Sequence, residues 1–126
     1  MKAIDTNVLV RLITRDDAAQ VKKAEAFVKS GAWVSLLVLI ECVWVLEAAY
    51  KLKKAQIVTV LEMLFNHAEL ILQDAHIVEE ALNAFKQTKK VDFSDHLILS
   101  VAAKAGHKPL GSFDKALTKL KGVEQL

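Results

Sequence analysis

Three of the four glycines in this chain stand in one repeated context, and that repetition restricts the fold more than any other feature. Gly31 follows "FVKS", Gly106 follows "AAKA" and Gly122 follows "LTKLK". Each closes a helical pattern that carries a lysine in its last turn, the arrangement expected of a helix C-terminus. Each is then followed by a short apolar run: "AWVS", "HKPLGS" and "VEQL". With "MKAID" at the start and "ELILQ" near residue 70, five candidate strands alternate with helical stretches. Such alternation predicts an α/β fold: a mostly parallel central sheet of about five strands with helices on both faces, three layers in all. No internal repeat, linker or low-complexity tract interrupts the 126 residues, so a single domain over 1–126 is expected.

The helices can be placed by their caps and periodicity. "TNVLVRLIT" follows the first strand directly, with Thr6 or Asn7 as the expected N-cap. A second helix restarts at Asp16 or Asp17, and an almost wholly apolar one runs from Ser35 to Lys51. "KKAQIVTVLEMLFNH" and "DAHIVEEALNAFKQT" are amphipathic, the latter with Asp74 as its expected cap. "SDHLILSVAAKA" and "DKALTKLK" complete the set.

The apolar helix raises a chemical question. Glu41 has Leu37, Val38, Trp44 and Val45 three and four positions away, so its helix face is otherwise apolar. This predicts a buried carboxylate, which is costly unless something pairs with it. Three other acids take related positions. Asp5 ends the first strand, Asp95 opens the helix before the fourth, and Asp114 follows the fourth in "GSFDKAL". Ligands of open parallel sheets bind beyond the carboxyl ends of the strands. Four carboxylates meeting there would repel, raising the pKa of at least one, unless a hard divalent cation such as Mg²⁺ or Mn²⁺ held them. Each acid except Glu41 also has a local explanation: Asp5 as a helix cap, Asp95 as a first-turn acid behind Asp92, and Asp114 as a first-turn acid behind Ser112.

Other chemistries find little support. The four histidines lack paired metal-ligand spacing, and there is no phosphate-cradling glycine loop and no nucleophile elbow. Cys42 has no partner cysteine and reads as a small core residue. The longest uncharged apolar run, Ala32 to Ile40, is too short to span a bilayer, and an acid at position 5 is wrong for a secretory leader. A cytoplasmic location is therefore expected. Net charge is only +2, but from Lys86 onward eight lysines face four acids, a bias that suits a polyanionic partner and is equally ordinary for a solvated face.

Four segments in order, "MKAIDTNVLVRLIT", "VSLLVLIECVWVLEAAY", "VDFSDHLILSVAAKAG" and "LGSFDKALTKL", resemble those of PIN-domain proteins, and specifically the VapC-type toxins of toxin–antitoxin pairs. The resemblance implies a metal-dependent endoribonuclease whose Mg²⁺ or Mn²⁺ ligands are Asp5, Glu41, Asp95 and Asp114. It makes Thr6, Asn7 and Ser112 site-orienting residues, with Ser112 in place of the usual threonine. It implies an RNA substrate, a homodimer and a cognate antitoxin docked on the early helices, where Val8, Leu9, Leu12, Ile13, Val21 and Phe27 are apolar. His96, after the third acid, departs from the small residue common there. Two other readings are a receiver-like Mg²⁺-binding signalling domain, which lacks its adjacent acids here, and a non-catalytic PIN module.

Overall fold

A computed structural model describes residues 1–126. The chain forms two compact units, Met1–Ala75 and His76–Leu126.

In the first unit three strands, β1 (Lys2–Ala3), β2 (Ala32–Val34) and β3 (Leu70–Leu72), lie parallel in the order β1-β2-β3. Ala3 pairs with Trp33, and Trp33 with Ile71. Parallel neighbours require crossovers. Here α1 (Thr6–Thr14) and α2 (Ala18–Val28) link β1 to β2, while α3 (Leu36–Ala48) and α4 (Lys54–Phe65) link β2 to β3. The core is built where α1 packs on α2 and α3: Leu9, Val28, Leu39, Cys42 and Leu46 are each at most 1% exposed. Burial alone pushes the Cys42 thiol up to about 12, which keeps it a neutral apolar residue.

The caps differ from the expected ones in an informative way. Asp5, not Thr6 or Asn7, is the N-cap of α1, its Oδ1 accepting from the Val8 amide at 3.1 Å. Asp17 caps α2 through the Gln20 amide. Ser35 caps α3 through the Val38 amide, and Gln73 Oε1, just past β3, accepts from the Leu36 amide at 2.9 Å. Both acceptors serve amides that have no partner inside the helix.

The second unit contains α5 (Ala75–Gln87, its first residue belonging to the first unit), α6 (Phe93–Lys104), and the parallel pair β4 (Leu110–Ser112) and β5 (Val123–Gln125). Phe85 of α5 meets Phe93 and His96 of α6 edge to face, with ring centroids 6.0 and 6.4 Å apart. Asp74 does not take the extended backbone of a cap. It sits at φ +46°, in the left-handed region. Gly106, at φ +87°, ends α6 as expected: its amide donates to Ala103 and the next amide, His107, reaches back to Ala102.

The α/β class, the five parallel strands and six of the seven expected helices are as the sequence pattern predicts. One expectation is sharpened and one corrected. The five strands, each of two or three residues, hydrogen-bond as a three-stranded and a two-stranded ladder. The expected last helix, "DKALTKLK", contracts to a single 3₁₀ turn, Leu117–Lys119.

Candidate active site

In the first unit, Asp5 and Glu41 each follow the carboxyl end of a strand, β1 and β2, and these strands are neighbours. Asp5 is exposed; the Val8 amide holds one of its oxygens, while the other has no partner within the chain. Glu41 is also exposed, which corrects the expectation of burial. The core side of α3 is Leu39, Cys42, Val43 and Leu46. Glu41 lies on the other side, and its apolar neighbours Leu37 and Trp44 are themselves 77% and 55% exposed. Glu41 thus needs no counter-ion to be tolerated, and it is open to a ligand.

In the second unit, Asp92 occupies the N-cap position of α6 with extended backbone, yet its side chain makes no capping bond. Asp95 follows in the first turn, half-buried. Burial first, then the charges of Asp92 and Asp114, push the Asp95 carboxyl above its usual value. The expected repulsion among acids therefore falls on Asp95, with Asp92 adding to it. Asp114, exposed, turns its Oδ1 toward the Ala116 and Leu117 amides at 2.8 and 3.1 Å. Ser112 Oγ accepts from the Asp114 amide at 3.0 Å and so fixes this turn. Thr6 and Asn7 make no side-chain hydrogen bond, and Asn7 lines a groove together with Asp5.

The donor chemistry fits a hard divalent cation. All the candidate ligands are carboxylates, Asp5 and Asp114 are each oriented through one oxygen with the other left open, and Asp95 feels the like charges of Asp92 and Asp114 while making no ion pair itself. Neither unit by itself groups three His, Cys, Asp or Glu side chains into a ready-made metal cage.

Two further features of the chain were not visible in the sequence. The groove beside Asp5, about 380 Å³, is lined by Arg11, Lys23 and Phe27 from α1 and α2, with the Lys2 ammonium 4.6 Å from the Phe27 ring centre. Arg11 is held there by Asp16 and by Gln20, to whose Oε1 its Nε donates at 2.7 Å. The spacing of Arg11, Lys23 and Phe27 along two separate helices gives no linear pattern to detect. The other is a polar cleft between α5 and α6.

Comparison with curated proteins gives no match. The family model of the PIN domain, a nuclease fold, matches residues 2–123, through both units and all four acid-bearing segments, and the chain belongs to that family.

Proposed function

We propose that the protein is a Mg²⁺- or Mn²⁺-dependent endoribonuclease, the VapC-type toxin of a toxin–antitoxin pair, working in the cytoplasm. The observation that carries this reading is the PIN-family match, which spans all four acid-bearing segments, with Asp95 half-buried and under the like charges of Asp92 and Asp114. A site that crowds negative charge in this way suits a cation. Asp5, Glu41, Asp95 and Asp114 are the proposed metal ligands. When bound, a divalent cation neutralises charge on a phosphodiester and acidifies water for in-line attack.

The chain's own residues prepare this chemistry. The Val8 amide fixes Asp5, and the Ala116 and Leu117 amides fix Asp114, so that neither carboxylate must give up rotational freedom on binding. Ser112 holds the Asp114 turn, as expected of a site-orienting residue. Thr6 and Asn7 are proposed to orient substrate rather than the acids, since they bond to neither. Exposed lysines of the second unit hold the RNA backbone without reading its sequence.

The family model runs across both units, which supports reading 1–126 as one domain. A homodimer and a small antitoxin partner complete the proposal. Of the early apolar residues, Leu9 and Val21 are core, Val8, Leu12 and Ile13 are half-buried, and Phe27 is 42% exposed, so only the latter four offer surface to a partner.

The test is an RNA cleavage assay. Cleavage is expected with Mg²⁺ or Mn²⁺, poorly with Ca²⁺, whose looser coordination holds the attacking water less well, and not at all in excess chelator. Undiminished cleavage in chelator overturns the metal assignment, and an inert chain under all conditions makes this a non-catalytic PIN module.

A further inference from the structure

The second unit contains a cleft of about 610 Å³ between α5 and α6, closed on one side by the residues just before β5. Its floor is fixed. His96 is 2% exposed, and its Nε2 lies 2.7 Å from Thr88 Oγ1. Thr88 Oγ1 donates to the Ala84 carbonyl at 3.3 Å, which leaves its oxygen to accept from the imidazole N–H.

Above this floor the polar side chains are unspent. Gln87, Ser100, Lys108, Lys121 and Glu80 all line the cleft, and none makes a hydrogen bond or ion pair within the chain. Ser100 is the telling one. Thr59 and Thr88 each donate to the carbonyl four residues back, a common resting place of a helical hydroxyl. Ser100, in the middle of α6, does not. Leu99 and Leu120 supply apolar wall beside it.

We propose that this cleft binds a nucleoside phosphate. Lys108, Lys121 and the Ser100 hydroxyl supply three donors for the phosphate, and two cations against the single Glu80 favour an anion. Leu99 and Leu120 accept the flat face of a base, while Gln87 and Glu80 reach its polar edge. The volume suits a ligand of mononucleotide size. His96 serves as a positioning residue, anchoring the floor through Thr88. None of the proposed metal ligands lines this cleft, and the inference does not depend on that reading. The nucleoside phosphate has two sources, a free mononucleotide or one nucleotide of an RNA strand.

The test is an amide chemical-shift titration of the full chain in chelator, which silences any metal-dependent cleavage. The probes are AMP, a short single-stranded RNA and inorganic phosphate. AMP is expected to shift the Ser100 and Gly122 amides saturably, and the double change Lys108→Ala, Lys121→Ala to weaken this by about tenfold or more. Lys22→Ala, Lys29→Ala, two exposed lysines of the first unit, should leave it unchanged. If only the RNA moves these amides, the ligand is a nucleotide within a strand and the site stands. The proposal is overturned if neither probe moves them, if inorganic phosphate binds as tightly as AMP, or if the two double variants behave alike.

Discussion

Asp5 serves the fold before it serves any reaction. Its Oδ1 caps α1, so a loss of function on changing it says nothing until cap and site are separated. Asparagine caps about as well as aspartate, whereas alanine cannot cap. Asp5→Asn should therefore hold metal-free stability within about 0.5 kcal/mol while abolishing RNA cleavage, and Asp5→Ala should cost about 1 kcal/mol more in urea melts. Normal cleavage by Asp5→Asn would remove Asp5 from the site. Asp95 makes a different prediction. Its folded pKa is raised, so the folded state holds the proton more tightly than the unfolded one. Its contribution to stability consequently falls as pH climbs from the ordinary carboxylate value, about 3.8, through the raised folded one, and stays low above it. Asp95→Asn should flatten that fall and, without metal, melt no lower than the parent at neutral pH; Mg²⁺ should then stabilise the parent more than the variant. A variant that melts well below the parent without metal would show Asp95 to be structural. The acids themselves were legible from sequence, but the exposure of Glu41 was not. A helix apolar all round carries no polar stripe to mark its outer side, so periodicity gave Glu41 its neighbours without saying which face met the core.

At the scale of elements, most of the architecture was legible because its punctuation is chemical. Ser35, Asp17 and the glycines at 31 and 106 stand where the helices start and stop. The last helix is shorter than its pattern predicts for an equally chemical reason. Asp114 Oδ1 takes the Ala116 and Leu117 amides at its start, and Leu120 already adopts extended backbone, φ −80° and ψ 147°, ahead of β5, so the helix-favouring residues between complete a single turn. What no local pattern reveals is a bond made across elements. Asp16, after α1, accepts from Thr14 Oγ1 and from Tyr50 Oη, both at 2.8 Å, and from Arg11. Tyr50 lies 34 residues away, just beyond α3. The Thr14 and Tyr50 hydroxyls, then Arg11, hold the Asp16 carboxyl down at about 2. A lowered folded pKa contributes stability that is present above the unfolded value, about 3.8, and lost as pH falls toward 2. Tyr50→Phe should shrink the acid-induced loss of stability over that interval and leave the neutral-pH fold and any RNA cleavage intact. Equal acid sensitivity in parent and variant would show that the exposed Tyr50–Asp16 bond is not held in solution.

Over the whole molecule the informative quantity is the placement of charge rather than its sum. A net charge of +2 gives little reason to expect a nucleic-acid partner, yet all eight lysines from Lys86 onward are exposed. This bias was legible in the sequence; that the chain divides at residue 75 was not, since no change of composition marks the division. Lys89 and Lys90 stand immediately before the "VDFSD" segment that carries Asp92 and Asp95, so RNA brought near those acids has cations at hand to offset their repulsion. Pairing of lysine with phosphate releases counter-ions from the RNA, and the number of pairs can be read from the dependence of affinity on salt. In chelator, single-stranded RNA should bind the parent with an affinity that falls linearly on a log–log plot against salt. Lys89→Ala, Lys90→Ala should lower the magnitude of that slope by about 0.7 for each phosphate that the variant no longer neutralises. The weakening should be the same for RNAs of different sequence, because an ammonium on a phosphate reads no base. An unchanged slope with unchanged affinity would mean that RNA does not pass these lysines. A weakening confined to some RNA sequences would instead make Lys89 or Lys90 a base-reading residue, and the backbone-holding role would pass to the remaining lysines.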